Sequence, residues 1–175
     1  MDDGSFEGWA RSRVPTLLRI ATALTGNRED AADLVQDALV AVYPRWARVR
    51  EMDRPEGYFT RIIVNRHISD RRRADRAVRR EALFAPVDPP EVGESLLDRA
   101  ELVPLLQALG ARQRSVLILR YSLDWPDDRI AEALGCSEGT VRSQAARGLA
   151  AVRSRMVETS SEGTSLGRGA GHGHR

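Results

Sequence analysis

The sequence contains no lysine, and all 27 of its basic residues are arginines, against 25 acidic residues in a chain of 175. Cysteine is nearly absent too, and the single Cys136 excludes an internal disulfide framework or a cysteine-cluster zinc site. No apolar run approaches the roughly 18 residues that a membrane span needs. The first residues include Asp2, Asp3 and Glu7, where a secretory signal would be basic. We therefore expect a cytoplasmic protein without disulfides, bound metal or membrane contact.

Charge is distributed unevenly, although the net charge is only +2. Residues 1–44 hold 4 basic and 7 acidic side chains, whereas residues 45–80 hold 12 and 5. Residues 81–110 are acidic again, with 1 basic and 6 acidic, and residues 111–156 hold 8 and 5. Two basic blocks separated by an acidic one indicate two nucleic-acid-facing modules on one chain. Arginine suits phosphate and guanine contacts, and codon bias in a GC-rich genome is the alternative explanation for most of these positions.

Apolar residues recur at helical spacing nearly throughout, and no stretch alternates for long enough to predict a strand. The pattern predicts a first helix from Phe6 to about Thr25, ended by Gly26, and a second helix capped by Asn27. The second helix has one continuous apolar stripe, formed by Ala31, Leu34, Val35, Ala38, Leu39 and Val42. Asp53 and Pro55 open a third helix. The fold class is therefore predicted to be all-α.

The chain divides at an acidic, proline-rich segment. Residues 85–98 hold three prolines, one glycine and four carboxylates without a basic residue, which is typical of a linker. We expect two small helical domains at 1–80 and 99–157, a flexible acidic linker at 81–98, and a disordered tail at 158–175. The linker either imitates nucleic acid through Asp88, Glu91 and Glu94 or is a soluble tether.

The segment from Trp125 to Arg153 predicts a helix-turn-helix. Pro126 and Asp127 open a short helix, Gly135 ends it, and Ser137 caps a second helix. The free face of the second helix shows Thr140, Arg142, Ser143, Gln144 and Arg147. Such a helix can enter the major groove, where arginine and glutamine make paired contacts to bases.

Two stretches in each half of the chain resemble a known family. DAADLVQDA (residues 30–38) and YFTRIIVN (58–65) resemble region 2 of the sigma-70 family, and LGARQRSVL (109–117) and GTVRS (139–143) resemble region 4. Only these two regions are present, in that order, which is similar to the extracytoplasmic-function (ECF) subfamily and closest to its SigE-like group. The resemblance implies a sigma factor that binds core RNA polymerase and directs initiation at promoters, without a cofactor or small-molecule substrate, and an anti-sigma protein as a further partner.

The resemblance also implies roles for individual side chains. Asp33, Gln36 and Asp37 would bind the clamp helices of the largest polymerase subunit. Asn65 would read a base flipped from the minus-ten element, with neighbouring contacts from Arg61, Arg66, His67, Arg71 and Arg72. The minus-thirty-five element would be bound by Arg120, Thr140, Arg142, Ser143 and Arg147.

Two positions depart from the family pattern. Pro126 stands where many relatives have a serine cap, and Trp125 is either a core anchor or a partner contact.

Alternative functions from other classes of protein stay open at this point. A stand-alone helix-turn-helix regulator would share the second module, but it should carry a receiver or ligand-binding domain, which residues 1–80 do not resemble. An enzyme is suggested only by Asp30, Asp33 and Asp37 on one helix. No histidine is near them in sequence, no phosphate loop follows a strand, and no serine or cysteine nucleophile signature appears. A structural or anti-sigma role would not need two nucleic-acid faces.

Overall fold

The computed structural model describes residues 5–78 and 102–165, with side chains described for residues 5–74 and 102–157. Within these ranges the chain is helical and contains no strand, which confirms the all-α class. The expected linker at 81–98 lies outside the described residues, as do residues 166–175 of the tail. In the part of the chain that is described, no helix is long and apolar enough to cross a membrane.

The first module consists of four α-helices and one turn of 3-10 helix. They are α1 (Phe6–Thr25), α2 (Arg28–Val42), the 3-10 turn (Tyr43–Arg45), α3 (Trp46–Val49) and α4 (Pro55–Val78).

The corner between α1 and α2 has the predicted local chemistry. Gly26 adopts the left-handed conformation (φ 78°), and its N–H donates to Thr22. The Asn27 side chain then accepts from the backbone N–H groups of Glu29 and Asp30 at 2.7 and 3.1 Å. These caps end α1 and start α2, as the sequence predicted.

An aromatic cluster holds α1 against the middle of the first module. The Trp9 ring stacks on Phe59 of α4 with centroids 4.3 Å apart and meets Trp46 at 5.2 Å. Phe6 adds edge contacts to Trp46 and Tyr43. The segment after Pro44 thereby gains helical structure, including α3, that the sequence pattern did not predict.

The second module has four helices. They are α5 (Leu102–Gln107), α6 (Ala111–Tyr121), α7 (Asp127–Leu134) and α8 (Glu138–Ser165). The backbone of α8 continues through Ser165, so residues 158–165 are helical where the sequence predicted a disordered tail. Each residue added to an existing helix contributes one hydrogen bond, whereas only the first turn is costly to form. Extension therefore overcomes the weak helix preference of the Ser/Gly-rich sequence.

The two modules pack against each other around one continuous hydrophobic cluster. Trp125, which precedes α7, is buried in this cluster, and the first-module helices α1 and α4 both contact α6. The sequence predicted each module, but its pattern did not predict this shared core. Trp125 is therefore an anchor of the interior, and Pro126 opens α7 without a side-chain cap.

Candidate nucleic-acid and polymerase surfaces

The turn of the helix-turn-helix is built as the sequence predicted. Gly135 is left-handed (φ 60°, ψ 48°), and its N–H reaches the carbonyls of Ala131 and Glu132. The Ser137 hydroxyl accepts from the N–H of Thr140 at 3.2 Å and so caps α8. These local contacts fix where α8 begins, and with it the side chains that the helix exposes.

The exposed early face of α8 carries Arg142, Ser143 and Arg147, with Thr140 half-buried beside them. Arg147 donates to the backbone carbonyl and the hydroxyl of Ser143, both at 3.3 Å. Arg142 lies 3.1 Å from the carboxylate of Glu138, one turn earlier. The structure thus brings together all four α8 residues that were predicted to meet DNA.

Asp127 lies between this face and Arg120, the remaining residue of the second module that was predicted to contact DNA. Its carboxylate is 3.5 Å from the guanidinium of Arg120 and 3.9 Å from that of Arg142. The Asp127 side chain is only 16% exposed, whereas Arg142 is more than half exposed. A shielded carboxylate between two arginines restricts the direction in which each points. Sequence reasoning treated Asp127 only as a helix-opening residue and missed this positioning role.

The second helix presents the predicted polar face. Asp33 and Gln36 are exposed, and Asp37 is half-buried. The Asp37 carboxylate lies 2.8 Å from the guanidinium of Arg66 on α4, and both side chains are about half exposed. A residue predicted for polymerase binding is thus paired directly with one predicted for minus-ten contacts.

A groove of about 280 Å³ lies between α2 and α4. Four aspartates line it, with Thr25, Leu34, His67, Arg71 and Ala74; the aspartates are Asp30, Asp33, Asp37 and Asp70. A concave surface with four carboxylates among its nine lining residues favours a partner that presents basic side chains. Among the described residues, no group of three or more histidines, cysteines and carboxylates has the arrangement of a metal site.

On α4, the residues predicted to meet the minus-ten element lie against the second module. The Asn65 amide donates to the carbonyl of Ala133 at 2.9 Å. Arg61 is exposed and has its guanidinium 3.9 Å from the Glu132 carboxylate. Both partners are on α7.

His67 is buried, although the resemblance implied a DNA contact for it. The side chain is 4% exposed, and its Nε2 has no hydrogen-bond partner. Burial, followed by the positive charges of Arg114 and Arg71, lowers the pKa of His67 from 6.5 to about 4. In this arrangement of the two modules the neutral imidazole of His67 is interior and does not face solvent, and its DNA contact stays a prediction. Arg71 and Arg72, by contrast, are exposed farther along α4.

Arg114 is the most deeply buried cation in the described part of the chain, at 1% exposure. Its guanidinium donates to four backbone carbonyls, those of Leu24, Leu106, Gln107 and Leu109. They lie at the ends of α1 and α5, where carbonyls lack helical partners and favour positive charge. Burial, followed by the charge of Arg71, lowers the pKa of Arg114 to about 10. No pattern in the sequence indicated this long-range contact.

Comparison with known families matches both modules. Residues 9–77 match the family described as Sigma-70 region 2, and residues 99–152 match the one described as Sigma-70, region 4. The RNA polymerase sigma-E factor of Streptomyces coelicolor is 33% identical over 165 residues, covering 93% of this chain and 92% of that protein. The ECF RNA polymerase sigma factor SigL of Mycobacterium tuberculosis is 29% identical over 148 residues, covering 81% and 83%.

Two solved structures share the fold. The sigma factor RpoE of Bartonella quintana, crystallised in complex with the anti-sigma factor NepR, has a TM-score of 0.70 at 23% identity. The match covers 85% of this chain and 94% of that one. The extracytoplasmic function sigma factor SigJ of Mycobacterium tuberculosis has a TM-score of 0.63 at 22% identity, covering 83% of this chain and 52% of that one.

Proposed function

Since this chain belongs to the sigma-70 family of RNA polymerase sigma factors, within the ECF subfamily, we propose that it binds core RNA polymerase and directs promoter-specific transcription initiation. The observation that carries the proposal is the presence of both family regions, in order, on one chain. Sigma factors are initiation factors and not enzymes. We place its action in the cytoplasm, where polymerase and chromosome meet.

The polymerase-binding face of the proposal is the exposed side of α2. Asp33 and Asp37 line the acidic groove between α2 and α4, and Gln36 is exposed on the same helix. Carboxylates at this edge attract a basic partner and raise its association rate. A stand-alone DNA-binding regulator would need no such face, and no observation favours that alternative.

The minus-ten face is proposed on α4. Asn65 has an amide that can pair with the edge of a flipped base, and this requires the base to leave the stack. Arginines flank it on the same helix and suit the backbone of a single strand or the adjoining duplex. They are Arg61, Arg66, Arg71 and Arg72.

The minus-thirty-five face is proposed on the second module. Arg142, Ser143 and Arg147 are exposed on the first turns of α8, the part of a recognition helix that approaches base edges. Thr140 stands at the helix start, close to where a phosphate would lie. Arg120, held by Asp127 beside this face, fits a phosphate contact.

The domain limits of the proposal are 1–80 for the first module, 81–98 for the linker and 99–157 for the second module. An anti-sigma protein is proposed as a regulator, because the Bartonella quintana relative was crystallised with one. This partner would have to cover one of the faces above in order to block initiation.

Reconstituted transcription tests the proposal. Core polymerase from the source bacterium, this protein and genomic DNA fragments are combined, and the 5′ ends of the run-off transcripts are mapped. We expect defined start sites that appear only when the protein is added. Binding to DNA without any programmed start site would refute the sigma assignment and favour the stand-alone regulator.

A further inference from the structure

A cavity of about 370 Å³ lies where α1, α4 and the segment that leads into α7 meet. It shares no lining residue with the acidic groove between α2 and α4. Four of its lining side chains are apolar, namely Leu17, Ile20, Leu123 and Trp125. The others include three arginines and one glutamate. A cavity of this size that combines apolar walls with a few charged groups is typical of small-molecule sites.

The three arginines are Arg13 on α1, Arg54 immediately before α4 and Arg129 on α7. Within the described part of the chain, none of them forms an ion pair with a carboxylate. Burial and then the positive charge of Arg54 lower the pKa of Arg129, and the charges of Glu56 and Glu132 oppose this effect without cancelling it. Positive charges that line one cavity without a counter-ion favour an anion, because the anion relieves their repulsion.

The guanidinium of Arg129 is held by contacts that leave its charge unpaired. It lies 3.8 Å from the centre of the Trp125 ring, a cation–π distance. It also lies over Gly57, where a Cβ would clash with its Nη2. A guanidinium that uses its face for an aromatic ring keeps N–H groups for an anion, and its planar fork suits phosphate oxygens. Trp125 and Gly57 thus position Arg129 for such a contact.

Glu56 narrows the chemistry of the ligand. Its carboxylate lines the same cavity, so it repels a bare polyanion and accepts hydrogen bonds from hydroxyl or amino groups. The apolar walls favour a ring system that leaves water. A ligand that matches all of these surfaces carries phosphate, hydrogen-bond donors and a ring. Nucleoside phosphates combine the three, and a diphosphate has enough oxygens to meet guanidinium groups from three separate segments of the chain.

We propose that this cavity binds a nucleoside diphosphate. The phosphates contact the three arginines, the base lies against the apolar walls, and Glu56 accepts from the sugar or from an amino group of the base. The site is independent of the proposed sigma function, since it involves none of the residues assigned to polymerase or promoter. A promoter strand carries the same phosphate and ring chemistry, so a DNA strand is included in the experiment.

Isothermal titration calorimetry of the full-length protein with ADP, CDP, GDP and UDP tests the proposal. We expect at least one of them to bind at a single site with a dissociation constant below about 1 mM. Inorganic diphosphate and the matching nucleoside should each bind more weakly, because each fills only part of the cavity. Absence of binding by all of these nucleotides, or equal affinity for inorganic diphosphate, would overturn the proposal.

The variant Arg54→Ala tests whether the ligand occupies this cavity. Loss of one guanidinium should weaken the nucleoside diphosphate at least about tenfold, because charge-assisted hydrogen bonds to phosphate are strong. Arg11→Ala is the matched control, since it removes the same charge from an exposed position on α1 outside the cavity. Arg13→Ala changes a different helix and should repeat the loss. Circular dichroism and the thermal unfolding midpoint check that each variant is folded. Native affinity in both folded cavity variants would overturn the proposal.

A single-stranded DNA oligonucleotide of random sequence distinguishes a free nucleotide from a DNA strand as the source of the phosphate. Arg13→Ala and Arg54→Ala should weaken the nucleoside diphosphate more than the oligonucleotide, which has other arginines to contact. Loss of oligonucleotide binding without loss of diphosphate binding would show that these arginines hold DNA and would overturn the proposal. Neither measurement contains polymerase, so failure of the run-off experiment would reject the sigma function and leave the nucleotide site standing.

Discussion

The carboxylate of Asp37 on α2 lies 2.8 Å from the guanidinium of Arg66 on α4, which joins the proposed polymerase face to the proposed minus-ten face. Because both side chains are about half exposed, the pair itself contributes only about 0–1 kcal/mol to folding. Its importance lies in orientation, since each residue limits the positions open to the other. Asp33, on the same helix face, is exposed.

Replacement of Asp33 by arginine should weaken the complex with core polymerase. The change places a positive charge beside a groove that we expect to receive basic side chains, so like charges meet there. Co-purification with core enzyme should fall strongly, while the thermal unfolding midpoint stays near that of the native protein. Glu7→Arg, at an exposed position on α1, is the matched charge reversal and should co-purify normally. Native-like recovery of Asp33→Arg would remove this face from the proposal.

Replacement of Asp37 by asparagine should weaken both polymerase binding and promoter opening, whereas Asp33→Asn should weaken polymerase binding alone. Loss of the carboxylate weakens polymerase binding and also frees Arg66, so minus-ten contacts lose a positioned cation. Polymerase affinity and the rate of promoter opening, followed by permanganate reactivity of the melted strand, are measured for both variants. The idea fails if Asp37→Asn opens promoters at the native rate once polymerase is saturated.

Replacement of Arg142 by alanine should weaken promoter use by about 1–3 kcal/mol if this side chain reads a base. Binding to core polymerase should not change, because Arg142 is on α8, away from α2. The measurement is transcription from a native promoter and from promoters substituted at single minus-thirty-five positions. A base-reading role predicts that the variant loses discrimination at one position. Arg153→Ala serves as the control, and retained discrimination at every position would count against the role.

Replacement of Asp127 by asparagine should lower DNA specificity without lowering total DNA affinity. The change removes a negative charge next to Arg120 and Arg142, so attraction to phosphates rises while the direction of both guanidinium groups is less restricted. Affinities for promoter and random duplex are compared at fixed salt, with Asp128→Asn as the neighbouring control. We expect a smaller specificity ratio for Asp127→Asn alone. An unchanged ratio would mean that Asp127 only stabilises the start of α7.

His67 should make stability depend on pH in the acid range. Its pKa is 6.5 when unfolded and about 4 when folded, so between these values the unfolded chain binds a proton that the folded chain does not. The contribution of neutral His67 to the free energy of unfolding is complete above about pH 6.5. As the pH falls toward 4, uptake of this one proton by the unfolded chain lowers the free energy of unfolding by up to about 1.4 kcal/mol per pH unit.

The test compares urea unfolding of the native protein and of His67→Leu across this pH range. Arg71, Arg114 and the groove aspartates are present in both proteins, so their titration cancels in the difference. The native protein should lose more stability than the variant below pH 6.5. Parallel curves would show that His67 titrates normally, and hence that it is accessible to water.

Local rules made much of the fold predictable. Gly26 and Gly135 end helices because they alone tolerate a left-handed conformation cheaply, and Asn27 and Ser137 cap helices through atoms within three residues of themselves. The α8 face also followed from helical spacing, once the helix start was fixed.

Contacts between distant segments were not predictable in this way. Arg114 and Leu24 are 90 residues apart, and no periodic pattern relates a cation on one helix to the carbonyls that end another. The burial of His67 was unpredictable for the same reason, because it depends on the packing of α6 against α4. The position of His67 along its own helix is compatible with a DNA-facing side chain. The family resemblance assigned α4 residues to DNA without indicating that α7 covers them.

The absence of lysine bears directly on Arg114. Its guanidinium has five N–H groups and meets four carbonyls, whereas a lysine ammonium has three and could not serve them all. All four partners are uncharged, so the ion gives up its hydration without gaining a counter-ion. The hydrogen bonds that hold α6 to the ends of α1 and α5 therefore form at the cost of that hydration, which offsets part of the stability that they give to the contact between the modules.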